Sequence, residues 1–100
     1  MPSRIPSPEV DATLDVIGDW TRKGGKIKAV FEFDCFRTAF DFMTEVAALA
    51  EQYHHHPEWH NVYGTVTIEL TSHEYGGITD LDLELARLIS RMAAERIDSA

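Results

Sequence analysis

The stretch from Cys35 to Tyr53 limits most what this chain can become. At about 100° per residue, Phe36, Ala39, Phe40, Phe42, Met43, Val46, Ala47, Leu49, Ala50 and Tyr53 fill about half of a helical circumference. Arg37, Thr38, Asp41, Thr44, Glu45, Glu51 and Gln52 fill the rest. One core contact needs a stripe of roughly 100°. The helix is therefore the main core helix, and its extra width asks for a second apolar partner. Asp34 is its expected N-cap.

The period changes from helical to alternating on either side of it. Lys26 to Phe33 puts Ile27, Ala29, Phe31 and Phe33 on one face, with Lys26, Lys28 and Glu32 on the other. Tyr63 to Thr71 puts Val66, Ile68 and Leu70 inward, with Thr65, Thr67, Glu69 and Thr71 outward. Both read as half-buried antiparallel strands. Gly24-Gly25 signals a two-residue hairpin turn, with Trp20 to Lys23 as the strand before it. Trp59 to Tyr63 is a further strand, either separate or part of one continuous long strand.

Ser7-Pro8-Glu9 reads as a helix start with Ser7 as cap, and Gly18 ends that helix. Met1 to Pro6 reads as a loose tail. Thr79-Asp80-Leu81-Asp82 resembles a capping box with Asp in place of Glu. It opens a last helix from about Asp80 to Ile97, with a stripe of Leu81, Leu85, Leu88, Ile89, Met92 and Ala93. Asp82 projects beside that stripe, either to cap the helix or to face something functional. The expected fold is α+β, an antiparallel sheet with helices on one face, in the order α-β-β-α-β-β-α.

The bulk properties exclude several classes. A chain of 100 residues suits a single domain over 1–100 with a modest core. A net charge of −8 argues against direct nucleic-acid binding. The single Cys35 allows no intrachain disulfide, fits a reducing compartment and reads as a small buried apolar residue. No apolar run reaches membrane-spanning length, and Met1 to Val10 lacks the apolar core of a signal peptide. The cytoplasm is the expected location, with no membrane partner.

Four of the five histidines, His54, His55, His56 and His60, fall within seven residues, and His73 follows the next apolar stretch. Pro57 disfavours helix at His56, so the cluster belongs where the long helix stops. Imidazole titrates near neutrality, which suits proton transfer. A metal site is the rival reading, but no His-Glu-x-x-His or paired Cys/His spacing is present, so no metal is expected. Taken singly, His54 and His60 read as exposed loop residues. Trp59 and Tyr63 beside the imidazoles suit a planar heteroaromatic ligand.

The run Glu51-Gln52-Tyr53-His54-His55-His56-Pro57-Glu58-Trp59-His60-Asn61-Val62-Tyr63, followed by Thr71-Ser72-His73-Glu74 and Asp82, resembles pterin-4a-carbinolamine dehydratase. That family carries an acid, three residues, His-His-Pro, an aromatic six residues on, a second-segment His and then an Asp. The run Phe36 to Thr44 is also similar, and the likeness spans roughly Trp20 to Arg91. His54 stands where the animal form has an acid, and His60 where it has Phe.

The resemblance implies dehydration of a 4a-hydroxytetrahydropterin to quinonoid dihydropterin and water, without cofactor. It implies that His55, His56 and His73 form the acid–base and ring-binding set. Glu51, one helical turn before His55, would orient it or bind the pterin. His54, Pro57, Thr71, Ser72, Glu74 and Asp82 are further substrate-binding candidates. The implied assembly is a homodimer or homotetramer, in line with the excess apolar arc of the Cys35–Tyr53 helix, which by its width calls for a partner chain with Phe40 or Phe42 in a subunit contact. In animals the family also serves as a dimerisation cofactor of a homeodomain transcription factor, a non-catalytic alternative.

Overall fold

A computed structural model describes residues 2–98. Helix α1 (Ser7–Ile17) leads into strands β1 (Trp20–Lys23) and β2 (Lys26–Glu32). Helix α2 (Phe36–Tyr53) follows, then β3 (Glu58–Val62) and β4 (Thr65–Leu70). A single 3-10 turn at His73–Tyr75 precedes helix α3 (Asp80–Asp98). The strands form one antiparallel sheet in the order β1-β2-β4-β3. The α+β class and the element order match the sequence reading.

The register explains the one-sided core. Ile27 lies opposite Leu70, Ala29 opposite Ile68 and Phe31 opposite Val66, so the buried sets of β2 and β4 share one face. The helices cover that face, with α2 against β4 and α3, and α1 against β1 and α3. From α2 the core takes Ala39, Phe42, Val46, Leu49 and Ala50. Phe42 meets Phe31 edge-on at 5.4 Å between ring centroids, and Phe31 meets Trp20 at 6.0 Å. The Trp20 indole N–H donates to Ser90 Oγ at 2.8 Å, which satisfies a polar atom that burial would otherwise strand.

The apolar arc of α2 is wider than the core stripe, as expected. Phe36 (48% exposed) and Phe40 (50%) stack on each other outside the core at 5.7 Å. Phe42, offered with Phe40 as a subunit contact, is wholly buried inside the protomer and is unavailable to a partner.

Several sequence expectations shift. Pro6, not Ser7, holds the cap position of α1, because its carbonyl accepts the N–H groups of Glu9 and Val10. Cys35, not Asp34, caps α2 in extended conformation. Cys35 is half-buried, with its sulfur 3.3 Å from Thr38 Oγ1. Strands β3 and β4 are separate, joined by a tight turn. Tyr63 there takes a left-handed φ of 51°. A Cβ on Gly64 would fall 2.3 Å from the Phe33 carbonyl oxygen, so only glycine fits.

The segment before α1 is not loose. Ile5 N–H donates to the Ile78 carbonyl at 2.9 Å, and Asp80 N–H to the Ser3 carbonyl at 3.0 Å. Ser3 N–H donates in turn to Asp80 Oδ1 at 2.7 Å. Polar backbone at a chain end is tied down when a neighbouring edge offers partners, and the 78–80 segment does. Met1 lies outside the described residues.

Candidate active site

The end of α2 sets up the site. His54 takes the left-handed conformation (φ 51°, ψ 41°) at the helix C-terminus. Its N–H donates to the Glu51 carbonyl at 3.3 Å, and His55 N–H donates to the Ala50 carbonyl at 3.0 Å. This is the paired arrangement that usually has Gly at the left-handed position. A non-Gly residue there costs on the order of 1 kcal/mol or more, the kind of strain found at functional sites. The reversal sends His55 and His56 off the helix end, and Pro57 prevents its continuation.

His55 turns inward. Its Nε2 lies 2.5 Å from Asp82 Oδ1, with the imidazole 15% and the carboxylate 0% exposed. Asp82 Oδ2 accepts from the Thr79 backbone N–H at 2.9 Å and from the Ser72 hydroxyl at 2.7 Å. The first of these is the reciprocal half of the expected capping box. Capping and site-facing roles, alternatives from the sequence, are thus filled by one residue with a different oxygen for each.

His56 turns outward to Glu51 Oε2, also at 2.5 Å, with side chains 62% and 77% exposed. The His56 hydrogen bond, then its charge, holds the Glu51 carboxyl below its ordinary range. The sequence spacing pairs Glu51 with His55. The left-handed turn at His54 instead brings Glu51 to His56, and Asp82 takes His55.

His73 comes from the other wall. Strand β4 ends at Leu70, and Ser72 and Gly77 bridge to close a loop around the 3-10 turn. Ser72 N–H donates to the Gly77 carbonyl at 3.0 Å, and Gly76 adopts a φ of 77°. His73 opens that turn and is exposed. The Glu58 carboxyl, on the neighbouring strand, is held low chiefly by Lys26, with His73 adding its charge.

Together these elements line a cleft of about 420 Å³, within the size range of small-molecule sites. His54, His55, His56, Thr71, Ser72, His73 and Glu74 all border it. Glu51 and Asp82 stand behind His56 and His55, and Pro57 does not border it. The Thr71 hydroxyl donates to the Gly25 carbonyl at 2.6 Å, and the Ser72 hydroxyl to Asp82 at 2.7 Å, so the proton of each is committed within the protein.

His60 lies on β3 opposite Thr67, outside the cleft. Trp59 and Tyr63 do not border it either; its aromatic residues are Tyr53 and Tyr75. The sequence reading missed Tyr53 as a wall because it continues the α2 apolar face. It also missed Tyr75, whose place between His73 and Gly76 was a usable signal. Pro2 and Leu81 complete the rim. Among the described residues, no three of His, Cys, Asp or Glu stand together as metal ligands.

The chemistry available is proton exchange between two or three imidazoles and a flat polar ligand, one imidazole being braced by a buried carboxylate. Known proteins share the chain and its shape. Residues 3–92 match the family model for pterin 4 alpha carbinolamine dehydratase. A relative from Synechococcus sp. (strain WH7803) is 45% identical over 92 residues, covering 92% of this chain and 99% of its own. One from Bradyrhizobium diazoefficiens is 44% identical over 95 residues, covering 93% and 95%. Both carry the name pterin-4-alpha-carbinolamine dehydratase provisionally.

The crystal structure of a transcriptional coactivator/pterin dehydratase from Brucella melitensis superposes with a TM-score of 0.87. It is 35% identical and covers 91% of this chain and 99% of its own. A pterin dehydratase-like RuBisCO assembly factor of the alpha-carboxysome shares the fold, with a TM-score of 0.62 at 21% identity over 74% of this chain and 86% of its own. On the match of residues 3–92 and these relatives, the chain belongs to the pterin-4-alpha-carbinolamine dehydratase family.

Proposed function

We propose that this protein removes water from a 4a-hydroxytetrahydropterin, giving the quinonoid dihydropterin, as part of tetrahydropterin recycling. The observation that carries the reading is the convergence of His55, His56 and His73 on one cleft, with Asp82 behind His55. The C4a–O bond breaks as the hydroxyl takes a proton and leaves as water. N5 gives up its proton as the C4a–N5 double bond forms. One proton enters and one departs, so imidazoles serve both steps near neutral pH, with no change of oxidation state. Positioned acid–base groups supply about 10²–10⁴-fold. The cleft's Tyr53 and Tyr75 give the planar ring apolar surface. Of the six further binding candidates, His54 and Glu74 border the cleft with side chains that no hydrogen bond described above commits elsewhere.

A stopped-flow dehydration assay on freshly generated carbinolamine tests the reading. Acceleration over the buffer rate, unchanged after exhaustive chelation, is the expected result. A rate equal to buffer refutes it, and activity lost with a stoichiometric metal refutes the metal-free mechanism.

The protein acts in the cytoplasm on this reading, which Cys35 as a free thiol supports. Among the described residues, no helix is long and apolar enough to cross a membrane. It assembles as a homodimer or homotetramer. The stacked Phe36–Phe40 pair supports this, as does the edge strand β3 with Val62 59% exposed. Light scattering should give at least twice the chain mass, and Phe40→Glu should reduce it without unfolding. A single-chain mass for the unmodified protein refutes the assembly.

A second reading, a non-catalytic dimerisation or transcriptional cofactor, draws on the same exposed aromatic pair and on the likeness to the transcriptional coactivator/pterin dehydratase from Brucella melitensis. A partner-binding function that survives loss of His55, His56 and His73 would favour it.

A further inference from the structure

We infer that Ser72 and Thr79 are positioning residues that act through Asp82 to fix the tautomer of His55, leaving Nδ1 as its working nitrogen. The inference rests on the dehydration reading for what Nδ1 does, but not for how it is held.

Proton counting carries it. Asp82 is wholly buried, and a carboxylate only accepts hydrogen bonds. The Ser72 hydroxyl has one proton, and it goes to Asp82 Oδ2 at 2.7 Å. The Thr79 hydroxyl stands 3.0 Å from Ser72 Oγ and 3.4 Å from Asp82 Oδ2. Its proton is therefore best given to Ser72, whose own proton is already used. The Thr79 backbone N–H fills the remaining position on Oδ2 at 2.9 Å.

The result is a directed chain, from Thr79 through Ser72 to Asp82, that leaves only Oδ1 for His55. Oδ1 needs a donor, so His55 Nε2 carries the hydrogen in the neutral ring. Nδ1 is then the free lone pair, on a ring that borders the cleft. Among the described residues no buried side-chain N or O atom lacks a partner, so the network has no slack that would let Asp82 rotate. Ser72 comes from the β4 exit, Thr79 immediately precedes α3 and Asp82 lies in its first turn, places the Ser72–Gly77 bridge and the capping box hold in register. Such outer partners of a working imidazole orient it and set its tautomer.

Two measurements test this, and they separate its failure from that of the dehydration reading. In ¹⁵N NMR of the full chain, under conditions where the ring is neutral, His55 should be a single Nε2–H tautomer. In Ser72→Ala a second tautomer should become populated. A His55 ring in the Nδ1–H form, or a Ser72→Ala spectrum identical to the unmodified one, overturns the inference whether or not the protein dehydrates pterins. In the dehydration assay, Ser72→Ala should lower kcat by about 10- to 100-fold, the range for outer-partner loss, with KM unchanged. Thr79→Ser, which keeps the hydroxyl, should retain the kcat of the unmodified protein. In a His55→Ala background, Ser72→Ala should cost nothing more. Multiplicative losses in that double variant, or a change in KM alone, also overturn it.

Discussion

Two histidine–carboxylate pairs, whose histidines are adjacent in sequence, have the same 2.5 Å separation and opposite surroundings. His55–Asp82 is shut in, with a carboxylate of 0% exposure whose other oxygen is already taken. His56–Glu51 stands in water, with both partners more than half exposed. A hydrogen bond to a carboxylate is worth more in the first setting than in the second, because water competes freely at the exposed pair and has little access to the buried Asp82 oxygens. The comparison teaches that length alone ranks neither. The buried pair is a fixed part of the architecture and the exposed pair is adjustable. In the proposed reaction, the first would hold a proton-transfer group still and the second would meet and release a ligand.

The largest expected effect is at Asp82. Asp82→Ala leaves Thr79 N–H, the Ser72 hydroxyl and His55 Nε2 without their acceptor in a dry site. Each buried donor left without an acceptor costs about 1–3 kcal/mol, so together they exceed the roughly 1 kcal/mol of a lost cap. Denaturant unfolding checks it. A loss of no more than a lost cap would mean that water enters and the burial contrast is false. The matching change at the exposed pair, Glu51→Gln, should move the midpoint only slightly.

Next come the imidazoles themselves. His55→Ala and His73→Ala should each lower kcat by about 10- to 10³-fold, the lower reach of acid–base loss. His56→Ala should act mainly through KM, since its ring faces solvent and can move with a ligand. His60→Ala, on β3 away from the cleft, should change neither. Steady-state kinetics on the four variants sharpen the contrast. Equal kcat losses at His55 and His56 would erase it, and an effect at His60 as large as at His73 would displace the site.

Sequence reading reached this contrast only in part. Alternation in β2 and β4 and the breadth of the α2 apolar arc are local signals, so strands, helix and sheet class were legible. The Pro57 break located the histidines correctly at a helix end. Partners across long sequence separations were not legible. Asp82 lies 27 residues from His55, and nothing in a helical period says which carboxylate turns inward. Counting one helical turn pairs Glu51 with His55, and the left-handed residue at His54 defeats that count. Positive φ at a histidine has no strong sequence signature, since Gly or Asn usually fills such a position. Phe42 and Phe40 look alike in composition, yet one fills the core and the other is half exposed; only the packing of β2 against α2 separates them. The tie between Ser3–Ile5 and Ile78–Asp80 is backbone hydrogen bonding, which side-chain patterns do not report.

The smallest expected effect is the pH dependence of the exposed pair. The Glu51 carboxyl is held below its ordinary range by the His56 hydrogen bond and charge. A carboxyl whose folded pKa is depressed adds stability that is complete above its unfolded pKa. That stability is lost as pH falls through the lower folded value. The unmodified protein and Glu51→Gln should therefore differ slightly at neutral pH and converge in acid, below the ordinary glutamate range. Because both side chains are solvated, added salt near 1 M, where the Debye length is about 3 Å, should shrink the neutral-pH difference further. Melting curves of the two proteins across the acid range, at low and high salt, measure it. A difference that grows toward acid would reverse the sign and show that Glu51 is better accommodated protonated. A difference insensitive to salt would show that a ligand-free cleft already screens this pair from water, and the two pairs would then be alike.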